Sequence, residues 1–276
     1  MLTSATVDER AADGQIDLSV AEIGSRPMLR RALYWPLVLL WSGIVLPLAT
    51  LTGVLTLGRL SHRVVDLWAP IWARGMLAIA GVRLEVRGRE HLEPLRSRVM
   101  VMNHSSFLDM QAAGAFCPPG AMALVKKEFA WIPLLGMAMW ATGQVFVDRK
   151  NHARAQRSVA RLEEALRKNV RTVLVFPEGT RSRTGELLPF KLGAFRIARD
   201  TGLPLIPAVL HGAYALQRPD EWLPRPGALV LELYPEISPA GWTDEELPAR
   251  AAALRAWYAE RLASGPGSPG SPPFAP

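Results

Sequence analysis

The sequence predicts an α/β domain, a mixed and largely parallel sheet flanked by helices, preceded by an N-terminal membrane-associated helical segment. From residue 82 onward, short apolar β-rich runs alternate with helix-length stretches, the texture of strand–helix repeats. Between Arg31 and Arg59 no residue is charged, a run longer than the ~20 residues a helix needs to cross a bilayer. Hydrophobic residues make up 49% of the chain and include nine tryptophans, a rich share for a domain surrounded by water.

Residues 1–25 are polar, with Asp8, Glu9, Asp13, Asp17 and Glu22, and read as a disordered tail. Residues 26–81 read as a membrane-anchoring helical region. Pro36 and Pro47 are each expected to kink or end a helix there. Arg26, Arg30 and Arg31 precede the uncharged run, and Arg59, His62 and Arg63 follow it. If both basic flanks stay on the cytoplasmic face, the segment enters the membrane and returns. A single span and a pair of core helices in a soluble protein are the other two readings. Val64–Gly81 reads as an amphipathic helix in the interface, with Trp68 and Trp72 at headgroup depth.

In the body, residues 82–263, seven runs read as strands: Val82–Val86, Val99–Met102, Ala123–Val125, Val145–Val147, Thr172–Phe176, Leu205–Leu210 and Leu229–Tyr234. Phe107–Phe116, Ile132–Ala141, Asn151–Lys168, Lys191–Thr201 and Asp244–Leu262 read as helices. On Asn151–Lys168 the basic residues Arg154, Arg157, Arg161, Arg167 and Lys168 form a solvated face or a contact with anionic lipid. Residues 264–276 hold five prolines and read as a disordered Pro/Gly-rich tail. The GxGxxG at Gly265–Gly270 follows no strand and opens no helix, which rules it out as a nucleotide site.

A net charge of +7 calls for an anionic partner. The uncharged run makes that partner a lipid bilayer, and no nucleic-acid motif competes with it. The single cysteine, Cys117, excludes an intrachain disulfide and a cysteine-built metal site, and reads as a structural thiol.

Two segments carry the chemistry, Asn103–Asp109 and Phe176–Ser182. Each follows a predicted strand, where active-site residues of α/β folds gather. His104 in the turn can meet Asp109 in the first turns of the helix, and the carboxylate would fix the imidazole tautomer and stabilise the charged ring. Ser105 and Ser106 read as caps or polar supports. A histidine base without a nucleophilic Ser or Cys suits an alcohol attacking a thioester, whose thiolate, with a pKa of about 8.5, leaves without a strong acid. In the second segment Gly179 permits a tight turn, Thr180 offers a hydroxyl and Arg181 can hold a phosphate through paired charge-assisted bonds. Glu178 would repel phosphate directly, so it is expected to orient Arg181 or a neighbouring donor, or to bond a substrate hydroxyl.

These blocks resemble the glycerolipid acyltransferase family, marked by NHxxxxD, GxxFxxR, FPEGTRS and a proline-centred apolar block. Here they stand in order as Asn103–Asp109, Gly143–Arg149, Phe176–Ser182 and Leu205–Val209. The resemblance covers roughly residues 82–235 and implies His104 as base, Asp109 as its partner, and Arg149 and Arg181 as phosphate ligands. It places Glu178, Gly179 and Thr180 in the same acceptor site, with Lys126 or Lys127 as a further cation. It implies an acyl-CoA or acyl-carrier protein donor, no metal and no cofactor. The expected function is acyl transfer to the sn-2 hydroxyl of 1-acyl-sn-glycerol 3-phosphate at the cytoplasmic face of a membrane. Acylation of another lysophospholipid or of lyso-ornithine lipid, a thioesterase using water, and a non-catalytic lipid-binding protein are the alternatives.

Overall fold

The computed structural model of the chain describes residues 27–148, 162, 164–166 and 169–275. The expected N-terminal tail, Arg149, and all but four residues of the Asn151–Lys168 helix lie outside them.

The uncharged run forms helix α1, Pro27–Leu55, which is not ended at Pro36 or Pro47 as the sequence suggested. Apolar side chains on every third or fourth position line its outer face: Leu29, Leu33, Leu37, Leu40, Ile44, Leu48, Leu51 and Leu55 are all exposed. Only 33% of the helix's most apolar stretch is buried, and α1 is long and apolar enough to cross a bilayer. Its inner face meets α2, Ser61–Ala80, across a short turn. Trp41 donates from its indole to the Trp72 carbonyl at 3.0 Å, and Trp72 donates to the Ser42 hydroxyl at 3.1 Å. Gly75 makes this approach possible, because a Cβ there would sit 2.2 Å from the Trp41 ring.

The body holds the seven expected strands: β1 Val82–Arg87, β2 Arg98–Met102, β3 Met122–Lys126, β4 Val145–Val147, β5 Thr172–Val175, β6 Leu205–His211 and β7 Gly227–Leu233. They form one sheet in the order β1-β7-β6-β2-β5-β3-β4, parallel throughout except where β6 meets β7. β2 lies at the centre, and all five of its residues are buried. Met100 and Met102 point into a core shared with α1, α2 and α3 (Leu108–Phe116). Val99 and Val101 point into the opposite core, shared with α5 (Gly193–Thr201) and α7 (Leu247–Ser264). Helix α4, Leu135–Ala141, starts three residues later than the apolar pattern suggested. A 3-10 turn at Lys127–Trp131 precedes it. Helix α6, Ala213–Leu216, is a single turn after β6.

The Pro/Gly-rich end carries no helix or strand, yet from 265 to 275 it rests on the body. Gly267 donates its backbone N–H to Glu232 Oε1 at 2.7 Å, and the Arg250 guanidinium lies 4.9 Å from the Phe274 ring centroid.

Candidate active site

β2 and β5 are hydrogen-bonded neighbours, so the loops leaving their C-terminal ends emerge side by side. The first loop carries His104 and the second carries Glu178–Arg181. Residues 74 apart in sequence are thereby locked together. The His104 backbone N–H donates to Glu178 Oε1 at 2.6 Å, and the Ser182 N–H donates to the His104 carbonyl at 3.0 Å. Asn103 braces the end of β2 against β6 by donating to the Leu210 carbonyl at 3.0 Å and accepting from its N–H at 2.8 Å.

Asp109 falls in the first turn of α3 and is fully buried. Its Oδ2 lies 2.7 Å from His104 Nδ1 and accepts the backbone N–H groups of Ser105 at 2.6 Å and Ser106 at 2.8 Å. The carboxylate therefore fixes both the imidazole and the turn that presents it, leaving Nε2 as the nitrogen available to a substrate. Phe176 stacks on the imidazole with centroids 4.1 Å apart. Ser106 is a support, as expected: its hydroxyl donates to the Gln217 carbonyl at 2.8 Å and accepts from the Leu108 N–H at 3.2 Å.

Arg181 lies over the Phe107 ring, its guanidinium carbon 3.6 Å from the centroid. Its Nη1 is buried with no hydrogen-bond partner among the described residues. Burial lowers its pKa and the nearby Asp109 carboxylate opposes that shift. A buried guanidinium edge with an unused N–H is suited to an anion. Gly179 adopts φ +70°, and the Lys191 side chain crosses it so closely that a Cβ would sit 2.6 Å from Nζ. Thr180 is exposed at the tip of the same turn.

Of the roles expected for Glu178, the structure supplies neighbouring donors: it is 3% exposed, one oxygen accepts the His104 N–H and the other accepts the Leu188 N–H at 2.9 Å, so it latches the His104 loop to its own. Burial raises its pKa to about 7 against the opposing pull of those two N–H bonds. Lys127, the expected further cation, holds its ammonium on Asp148, 2.8 Å away. Arg149 lies outside the described residues. Cys117 is a structural thiol, with burial pushing its pKa up to about 12.

Sequence reasoning missed an apolar cavity of about 130 Å³ lined by α1, α2, α3, β3 and α4 and open on one side. Met110, the residue after Asp109, is in its wall, as is Leu174, two residues before Phe176. Small residues there, Ala113 and Gly114 on α3 and Ala138 on α4, were the available signal.

The profile of the acyltransferase family matches residues 83–211, the stretch holding both loops. The 1-acyl-sn-glycerol-3-phosphate acyltransferase of Haemophilus influenzae is 30% identical over 195 residues, 70% of this chain and 79% of that protein. The chain belongs to the acyltransferase family. Another family member, mouse 1-acyl-sn-glycerol-3-phosphate acyltransferase alpha, is 34% identical over 176 residues, 63% of this chain. The match spans 62% of the mouse protein's own length. Among solved structures, the 1-acyl-sn-glycerophosphate acyltransferase PlsC from Thermotoga maritima superposes with a TM-score of 0.67 at 26% identity. That superposition covers 87% of this chain and all of PlsC, so most of the fold is shared.

Proposed function

We propose that this chain transfers a fatty acyl group from acyl-CoA or acyl-carrier protein to the sn-2 hydroxyl of 1-acyl-sn-glycerol 3-phosphate, giving phosphatidate. The observation that carries this reading is the His104–Asp109 pair in the segment that also holds Phe107, over whose ring lies Arg181, with its Nη1 unpartnered among the described residues. His104 Nε2 takes the proton of the sn-2 hydroxyl as its oxygen bonds to the thioester carbonyl carbon. Buried Asp109 stabilises the imidazolium that results. The tetrahedral intermediate collapses by breaking the carbon–sulfur bond, and the thiolate takes the proton back from His104. Arg181, with Gly179 and Thr180 shaping its turn, receives the acceptor's phosphate. That preference for an anion speaks for lysophosphatidate over lyso-ornithine lipid.

The apolar cavity bordering Met110 suits the donor's acyl chain. The outward stripe of α1 suits contact with a bilayer, with the site at the cytoplasmic face where soluble thioesters arrive. The chemistry needs neither metal nor cofactor, because one base and a good leaving group complete it.

The test is thiol release by purified protein in vesicles, over a panel of lyso-lipids and acyl thioesters. His104→Ala is expected to lower turnover by ~10²–10⁴-fold, the usual worth of a general base. A near-normal rate in that variant overturns the mechanism. Thiol release without added acceptor identifies a thioesterase instead.

A further inference from the structure

A second cavity, of about 110 Å³, lies on the other side of α3 from the first. Trp35 of α1, Met76 of α2, Phe107 and Gln111 at α3, and Trp222 beyond α6 wall it, and among the described residues none borders both cavities. Helix α3, with Asp109 in its first turn, is the partition between them. A reaction joining two acyl-bearing substrates at one base needs a place for each chain. We propose that the second cavity takes the sn-1 acyl chain of the lyso-lipid acceptor, an assignment that rests on the acyltransferase reading above.

Three features favour that occupant. Phe107 walls the cavity and also carries the Arg181 guanidinium on its ring, so a chain in the slot and an anionic headgroup on Arg181 belong to one amphiphile. Gln111 Oε1 is buried in this region without a hydrogen-bond partner. Amide oxygen and nitrogen exchange places by rotation about the terminal bond, so the side chain can donate to the ester carbonyl that joins chain to glycerol. The rim is aromatic and open, with Trp222 79% and Trp35 42% exposed and their rings 6.3 Å apart. Trp35 sits on the opposite side of α1 from Leu33 and Leu37, so the entrance opens beside the helix and not on its outward stripe, and two exposed indoles at its rim suit the membrane–water interface. For scale, a cavity of ~150 Å³ admits benzene, so the slot holds the first few methylenes of a chain whose remainder stays in the lipid.

The full chain in phosphatidylcholine vesicles can be photolabelled with a lysophosphatidate bearing a diazirine close to its ester. Label is expected on peptides containing Trp35, Met76 or Trp222. Label confined to the other cavity, at Met110 or Met139, would show that the slot is not the acceptor's. Slot labelling in a protein that acylates no lysophosphatidate overturns the reaction and upholds the lipid site. Turnover without slot labelling does the reverse. A kinetic readout complements this, because Trp222 is too exposed for its removal to threaten folding. Trp222→Ala is expected to raise KM for a long-chain lysophosphatidate about tenfold, as lost burial of a methylene or two would. KM for a short-chain, water-soluble lysophosphatidate and for the acyl donor should stay put. Equal changes for long and short acceptors overturn the proposal.

Discussion

Replacing Asp109 by Asn and by Ala separates what this carboxylate does for catalysis from what it does for the fold. In the Asn variant the side-chain oxygen can keep the Oδ2 position, 2.6–2.8 Å from the Ser105 and Ser106 N–H groups and from His104 Nδ1. The turn is therefore retained, and the structural cost is the new amide N–H₂ at the Oδ1 position, which has no partner. One buried unsatisfied group costs about 1–3 kcal/mol. Catalysis loses the negative charge opposite the imidazolium. A charge-assisted bond contributes about 1.5–3 kcal/mol, which alone is roughly a 10- to 150-fold fall in turnover. Loss of the base's orientation and tautomer carries the total toward ~10²–10⁴-fold. Asp109→Ala instead orphans three donors in a fully buried pocket, an expected loss of about 3–9 kcal/mol, enough to unfold many domains. The assays are thiol release in vesicles and chemical denaturation of both variants. An Asn variant within threefold of wild-type turnover would refute the role assigned to the pair.

Other substitutions probe the second loop. Arg181→Ala should cut kcat/KM for lysophosphatidate by about 10- to 150-fold through loss of charged bonds worth 1.5–3 kcal/mol, and indifference of the phosphorylated acceptor would discard the clamp. Gly179→Ala forces φ +70° on a residue with a Cβ and displaces Lys191, so stability should fall by about 1–2 kcal/mol with a raised KM for the acceptor; an unchanged melting profile contradicts it. Glu178 has a folded-state pKa of about 7 against an ordinary 4.5, so the folded protein holds its proton across that window while the unfolded chain releases it. Its contribution to stability is present in full below pH 4.5 and is lost as pH rises to about 7. Relative to Glu178→Gln, wild type should lose about 3 kcal/mol over that range, and a pH-independent difference between the two would be the refuting result.

The seven strands were legible because each is a short apolar run between helix-length stretches, whereas the division of β2 between two cores came only with the helices packed on each face. His104, Asp109 and Arg181 were legible as residue types at a spacing. Their setting was not. Strand order puts β2 beside β5, a long-range pairing that no local pattern encodes, and only that adjacency makes Glu178 a partner of the His104 backbone. The Asp148 partner of Lys127 was likewise hidden, because the β3–β4 pairing is what brings the two together. Of the two outcomes expected at Pro36 and Pro47 of α1, a kink or an end, the end does not occur. Tertiary contacts of its inner face with α2 and α4 hold the helix together where local propensity would break it.

The backbone of His104 is gripped at its N–H by Glu178 and at its carbonyl by Ser182, both from the other loop. The two loops are therefore one mechanical part, although a motif scan reads them as separate words. On the proposed mechanism, damage to Glu178 or Ser182 is expected to tilt the imidazole and surface as a change in kcat, in residues a sequence reader would file under acceptor affinity. Assigning a role from the motif in which a mutation falls would then credit binding with a loss that belongs to proton transfer.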